Sequence, residues 1–307
     1  CMPKEVFGGD FPFLPRAELL SFEEIARLAR LFAAQGVTKL RITGGEPLLR
    51  RGLERLVEML AGIEGVEDIA LTTNGSLLAR HASALADAGL SRVTVSLDAL
   101  DDETFAAMND VGYPVARVLD AIDAAAAAGL APVKVNMVVR RGVNEHSVPA
   151  MAERFRHTGH VLRMIEYMDV GTTNGWERGE VVPASEIRET IDSIWPLRAL
   201  EPAYPGEVAS RFAYRDGGGE IGVISSVTAP FCGGCTRARL SADGKLHTCL
   251  FGAAGHDLRG LLREGADDAQ IAARLASIWG GRSDRYSELR AALSGSAQRV
   301  EMSYIGG

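Results

Sequence analysis

Apolar and polar positions alternate along this chain in blocks that change period, from helical to extended and back. Residues 22–35 read as an amphipathic helix: Ser21 stands at its N-cap with Glu24 three positions on, a capping box, and Gly36 stops it. A short strand follows at 39–43, then Gly44-Gly45-Glu46-Pro47, then a helix over 51–61. The pattern repeats with a strand at 68–72 ending in Thr73-Asn74-Gly75, a helix to residue 88, and a strand at 92–97 ending at Asp98. Helices are predicted over 102–108 and 115–128, a strand at 133–139, a helix at 145–157 and a strand at 161–167. The alanine run 124–128 reads as strong helix propensity. Single helices between strands imply right-handed βαβ units and a parallel sheet. Five such strands are too few to close an eight-stranded barrel, so the expected fold is α/β, a partial, open TIM-type barrel.

Beyond about residue 171 the alternation fails. Turn-rich sequence runs over 176–223 with a strand at 220–224, and helices are expected at 258–263 and 268–279. The expected division is therefore 1–170, the partial barrel, and 171–307, a C-terminal α+β region laid against its open side. Gly44-Gly45-Glu46, Thr72 with Asn74, Ser96 with Asp98, Asn136 and Glu166 all fall on strands or at their exits. That C-terminal edge is where parallel α/β folds bind ligands.

Composition narrows the function classes. With 47% hydrophobic and 24% charged residues the chain can bury a sizeable core, and its net charge of −7 argues against a general nucleic-acid or anionic-membrane binder. No segment has the length and apolarity of a membrane span or signal peptide, and the sparse cysteines suit a reducing cytoplasm.

The cysteines carry the chemistry. Of four in 307 residues, three fall in one short run: Cys232-Gly-Gly-Cys235, then Cys249 after thirteen more positions. The two glycines let the first pair turn toward one centre, and Asp243-Gly244 supplies a hairpin that returns the third. Three thiolates without a fourth ligand suit an iron–sulfur cluster with one open iron. His247 as fourth ligand would make a zinc site instead, and that reading stays open. The chain also begins with a cysteine, Cys1-Met2-Pro3, without an initiator methionine.

Cys1-Met2-Pro3 resembles the end of the C-x3-C-x2-C motif of radical S-adenosylmethionine (SAM) enzymes, and Arg41-Ile-Thr-Gly44-Gly45-Glu46-Pro47 their glycine-rich SAM-amine motif. More narrowly, Thr72-Thr73-Asn74-Gly75, Ser96-Leu97-Asp98, Met168-Asp169, Cys232-Gly-Gly-Cys235-Thr-Arg237-Ala238-Arg239 and the tail Glu301-Met-Ser-Tyr-Ile-Gly306-Gly307 resemble the GTP 3′,8-cyclase family of molybdenum cofactor biosynthesis. The similarity covers essentially the whole chain. It implies a lyase that turns GTP into (8S)-3′,8-cyclo-7,8-dihydroguanosine 5′-triphosphate, using SAM and two [4Fe–4S] clusters. One cluster would cleave SAM to a 5′-deoxyadenosyl radical, which takes hydrogen from C3′ of GTP; the other would bind the guanine.

The resemblance also implies residue roles. Cys1 belongs to the SAM cluster, and Cys232, Cys235 and Cys249 to the auxiliary one. Gly45, Ser96 and Met168 contact SAM; Arg41, Thr72, Lys134, Arg237, Ala238 and Arg239 contact GTP. Arg237, Arg239 and the Gly306-Gly307 tail complete the reacting centre, two side-chain-free residues being able to thread a narrow channel. Glu46 is expected only to support the Gly44-Gly45 loop. Implied partners are GTP, an electron donor such as flavodoxin or ferredoxin, and the next enzyme, cyclic pyranopterin monophosphate synthase; a homodimer is possible. The family's first two N-terminal cysteines and first barrel strand would precede residue 1, so the expectation is a complete enzyme from which an N-terminal piece is absent here. Two other readings stay open: a different radical SAM enzyme with an auxiliary cluster, of the peptide-maturase type, or an inactive fragment lacking the SAM cluster.

Overall fold

The computed structural model describes residues 5, 10–11, 13–171, 173–252, 255–290 and 300–306. Its first half follows the predicted alternation closely: α1 (Phe22–Ala34), β1 (Lys39–Ile42), α2 (Leu53–Ala61), β2 (Asp68–Thr73), α3 (Leu78–Asp87) and β3 (Arg92–Ser96). Then come α4 (Asp102–Asn109), α5 (Val115–Ala127), β4 (Lys134–Val139), α6 (Val148–Phe155) and β5 (Val161–Glu166). The capping box that opens α1 is formed: Glu24 N–H donates to Ser21 Oγ at 3.1 Å, and Ser21 N–H to Glu24 Oε2 at 2.7 Å.

Three further strands extend the sheet. After α7 (Ala184–Asp192) come β6 (Leu197–Leu200), β7 (Ser210–Tyr214) and β8 (Glu220–Ile224). Strands β6 and β7 lie where turns were expected, and β8 falls on the expected strand at 220–224. Among the described residues the sheet has eight strands, ordered β1-β2-β3-β4-β5-β8-β7-β6. Strand β8 pairs parallel with β5, so six strands run parallel, while β6 and β7 return as an antiparallel meander. The sheet is open, and β1 is an edge among the described residues.

Each parallel strand has two unlike faces. Val93 and Val95, Val135 and Met137, Leu162 and Met164, Ile221 and Val223 turn outward into one core beneath the helices. Side chains in the alternate positions point to the other face. That face carries Arg41, Thr72, Thr94, Asn136 and Arg163, which the hydrogen bonds below join across the strands, with Lys134 beside them. Parallel strands covered on both sides are ordinarily apolar throughout; a polar inner face marks a cavity wall.

The rest of the chain is β9 (Arg239–Leu240), β10 (Lys245–His247), β11 (His256–Asp257), α8 (Arg259–Arg263), α9 (Asp268–Gly280), α10 (Tyr286–Leu289) and α11 (Met302–Ile305). The small antiparallel sheet β11-β10-β9 contains the expected Asp243-Gly244 turn, with Gly244 at φ +82°. A Cβ on Gly244 would stand 2.7 Å from Arg259 Cβ, so no larger residue fits that turn. A second core, built on Leu28 and Leu31 of α1 with Leu246, Leu258, Ile271 and Leu275, binds this sheet and α9 to the barrel. Each of those fully buried side chains contributes roughly 2 kcal/mol of apolar transfer. Thus α1 fixes where the cysteine-bearing loops sit.

Candidate active site

The inner face of the sheet gathers cations. Arg41 Nη1 donates to Thr72 Oγ1 at 2.8 Å and to Thr94 Oγ1 at 3.4 Å. From the other side Arg163 Nε donates to Asn136 Oδ1 at 3.0 Å and its Nη2 to Thr94 Oγ1 at 3.4 Å. Arg163 lies in register with Gly222, where a Cβ would press on its Cγ at 3.2 Å. Burial, with Arg163, Arg92 and Arg41 close by, brings the Lys134 ammonium down to about 8. Burial and the neighbouring Arg41 likewise draw Arg163 down to about 10. Each cation raises the cost of charging the next, which a polyanion lying among them would relieve. Arg41, Thr72 and Lys134 were expected here; Arg163 was missed. Its signal was a single charge inside an apolar strand, Val161-Leu-Arg-Met-Ile.

The loop between β6 and β7 closes one end of this face. Tyr204, Glu207 and Arg211 line a cavity with Lys134, Arg163 and Gly222. Lys39 Nζ sits 3.6 Å from the centre of the Tyr204 ring.

At the strand exits, Glu46 ties two loops together. Its Oε1 accepts from Thr73 Oγ1 and its Oε2 from Asn74 N–H, both at 2.8 Å. That is the supporting role expected of it, leaving Gly45 exposed beside the loop. Asp98 accepts from Val138 N–H at 2.8 Å, and burial pushes its carboxyl up to about 6. Ser96 is half-buried in register with Asn136, and Met168 follows β5 with its carbonyl accepting from Asn174 Nδ2 at 3.3 Å. Glu166 does not face the rim. It is fully buried, taking N–H donors from Ala184, Val227 and Thr228 at 2.7–2.8 Å, and so pins α7 and the 225–228 turn to β5.

The cysteine loop carries its own cations. Cys232, Cys235 and Cys249 are free thiols, each half-buried. Burial alone would raise the Cys235 thiol, but hydrogen bonds from Arg282 and Arg237 outweigh it and bring it down to about 7. Burial raises Cys249, helped by the nearby Asp284 and Cys232 and opposed by Phe251 N–H and Arg239. Three unpaired thiols sharing an arginine-rich pocket suit the thiolate ligation of an iron–sulfur cluster. Among the described residues, however, no group of three metal-binding side chains is closed to ligand spacing. His247 has other neighbours: its buried ring lies against Gly255 and edge-on to Tyr304.

Arg237 and Arg239 diverge. Arg237 Nη2 lies 3.1 Å from Cys235 Sγ and its guanidinium rests over Phe231; Ala238 between them is exposed. Arg239 instead holds the C-terminal tail, its Nε donating to the Gly306 carbonyl at 3.1 Å. A Cβ on Gly306 would stand 2.3 Å from Thr43 Cγ2, beside Gly44. So the Arg-x-Arg segment, the tail and the Gly44-Gly45 loop meet at one place. Cys1 and Gly307 lie outside the described residues.

The chain matches known proteins along its length. Residues 1–155 match the family model of the radical SAM superfamily, and residues 160–288 match that of Molybdenum Cofactor Synthesis C. The chain is 55% identical to the GTP 3′,8-cyclase of Acidothermus cellulolyticus over its whole length and 92% of that protein. It is 52% identical to the same-named protein of Xanthomonas axonopodis pv. citri and 46% to that of Staphylococcus aureus, again over its whole length and 91% of each relative. A radical SAM methyltransferase from Sphaerobacter thermophilus aligns over 56% of this chain and 52% of its own, at TM-score 0.43 and 18% identity, a likeness too slight to bear on function. With 46–55% identity over its whole length to proteins named GTP 3′,8-cyclase, and family-model matches over residues 1–155 and 160–288, this chain belongs to the GTP 3′,8-cyclases of the radical SAM superfamily.

Proposed function

We propose that this chain converts GTP to (8S)-3′,8-cyclo-7,8-dihydroguanosine 5′-triphosphate, the first step of molybdenum cofactor biosynthesis. One observation carries the reading: Arg239 holds the Gly306 carbonyl while Gly306 lies so near Thr43, beside the Gly44-Gly45 loop, that a Cβ there would stand 2.3 Å from Thr43 Cγ2. That joins the substrate-side arginine, the tail and the SAM-side loop in a single centre.

Gly45, Ser96 and Met168 orient SAM at the strand exits. Arg41, Thr72, Lys134 and Arg163 take the triphosphate on the inner face, where forked guanidinium donors match phosphate oxygens. Arg237, Ala238 and Arg239 hold the nucleoside near Cys232, Cys235 and Cys249, which would ligate the auxiliary [4Fe–4S] cluster. Cys1 would serve the SAM cluster. Bound, these cofactors supply one-electron cleavage of SAM and a hydrogen-abstracting radical; the protein's part is to fix the distance to C3′ and keep water away. The functional division is 1–170 for SAM and 171–307 for the auxiliary cluster and guanine.

An electron donor such as flavodoxin or ferredoxin, transfer of product to cyclic pyranopterin monophosphate synthase, a cytoplasmic setting and a homodimer complete the proposal. No helix among the described residues is long and apolar enough to cross a membrane.

The test is anaerobic reconstitution followed by turnover with SAM, a reductant and GTP deuterated at C3′. Deuterium in 5′-deoxyadenosine together with a cyclised triphosphate is the expected result. Deuterium-free 5′-deoxyadenosine with GTP recovered intact would move the chain to the peptide-maturase type.

A further inference from the structure

We propose that Tyr304 and Asp243 are positioning residues for the cyclisation, together setting how far the C-terminal tail reaches into the site. This rests on the cyclase reading above. The tail has little of its own to hold it. The helix α11 is four residues long, too short to be stable in isolation, and Gly306 has no side chain to bury. Ile305, which is 3% exposed, supplies one apolar anchor.

The polar anchors lie on either side of it. At one end Thr173 Oγ1 donates to Glu301 Oε2 at 3.0 Å, over the Gly171 turn that follows β5. In the middle the Tyr304 hydroxyl donates to Asp243 Oδ2 at 2.5 Å. Asp243 is 4% exposed and cannot turn away, because Ser241 Oγ donates to its other oxygen at 2.5 Å. Lys245 Nζ reaches both partners, 3.1 Å from Asp243 Oδ2 and 3.3 Å from the Tyr304 oxygen.

The consequence is geometric. Asp243 sits at the tip of the β9–β10 hairpin, and Arg239 starts the same hairpin. One rigid two-stranded element therefore grips the tail twice, at the Tyr304 side chain and at the Gly306 carbonyl, two residues apart. Gly306 is left against Thr43 with no slack, as the 2.3 Å approach of a hypothetical Cβ shows. Neither Tyr304 nor Asp243 needs to touch GTP. Their loss should let the tail slide along Thr43, and small misplacements of a reacting assembly cost large factors in rate.

The experiment compares Tyr304→Phe, Asp243→Ala and Asp243→Asn with wild type in the reconstituted holoenzyme. Cyclised GTP formed per 5′-deoxyadenosine is measured, with KM for GTP, iron content, melting temperature and hydrogen exchange of residues 300–306. For Tyr304→Phe the coupling ratio should fall about tenfold, the size expected for losing one hydrogen bond to a charged acceptor. KM should stay within about twofold, iron and melting should match wild type, and the Gly306 amide should exchange faster. Asp243→Ala should behave alike, while Asp243→Asn, which keeps an acceptor for the hydroxyl, should recover most of the coupling. Wild-type coupling and exchange in Tyr304→Phe would overturn the proposal. So would loss of iron and melting temperature in step with coupling, which would make Tyr304 a packing residue. If wild type forms no cyclised GTP, the cyclase reading fails, and exchange at 300–306 alone then decides whether the hydroxyl anchors the tail.

Discussion

Arg239 and Gly306 stand 67 positions apart in sequence and 3.1 Å apart in space, guanidinium Nε to carbonyl oxygen. A side chain expected to serve the substrate is thereby also a clamp on the chain terminus. Its guanidinium is drawn down to about 10, by burial first and by Arg237 beside it.

Arg239→Ala should therefore fail twice. GTP affinity should drop about thirtyfold, the equivalent of roughly 2 kcal/mol for a lost charged partner. The released tail should lower product formation further at saturating GTP. Calorimetry and single-turnover assays separate the two effects, and SAM cleavage without GTP should persist. Gly306→Ala isolates the second: its Cβ strikes Thr43 and the residue sits at φ +73°, so product should fall about a hundredfold with iron content unchanged.

Arg163→Ala is expected to weaken GTP binding about thirtyfold while leaving melting temperature unchanged or raised. The sign follows from its neighbours. Arg163 is crowded by Arg41 and Arg92, so the empty protein loses repulsion along with the side chain. A marked fall in melting temperature would instead show that its bonds to Asn136 and Thr94 hold the sheet together.

GTP binding should take up protons around pH 8 to 9. Lys134 titrates near 8 in the free protein because burial and three arginines disfavour its charge. A triphosphate favours the charged form, so the bound-state value is higher. Affinity is then greatest below about 8 and falls as pH rises through it. Calorimetry in buffers of different ionisation enthalpy reads the uptake directly, and Lys134→Gln should abolish it.

Glu166→Ala should destabilise the fold by about 3 kcal/mol or more, measured by denaturant titration. The buried carboxylate serves three backbone N–H groups from two separate segments, all orphaned by the change. A variant as stable as wild type would mean that water replaces the carboxylate.

The order of elements up to residue 166, the capping box at Ser21 and the hairpin turn at Asp243-Gly244 were legible because each is a local decision, made by residues a few positions apart. The meander of β6 and β7 was not: short, partly exposed strands carry weak periodicity, and they exist because β8 offers an edge to pair with. For the same reason β8 was recognised as a strand but not as the sixth parallel member of the sheet, since pairing with β5 is a choice made across some sixty residues. The resemblance named Arg41, Thr72 and Lys134, which share one face, yet not Arg163, whose place beside them appears only when five strands turn their alternate positions to one side. Glu166 is the converse: its position at a strand end suggested a ligand contact, and the fold spends it on backbone donors instead. Sequence by itself determined which chemistry-bearing residues are present and on which elements. Only the tertiary structure decided which of them share a cavity, because charge repulsion among Arg41, Lys134 and Arg163, and the closeness of Gly306 to Thr43, exist between residues that the chain alone keeps far apart.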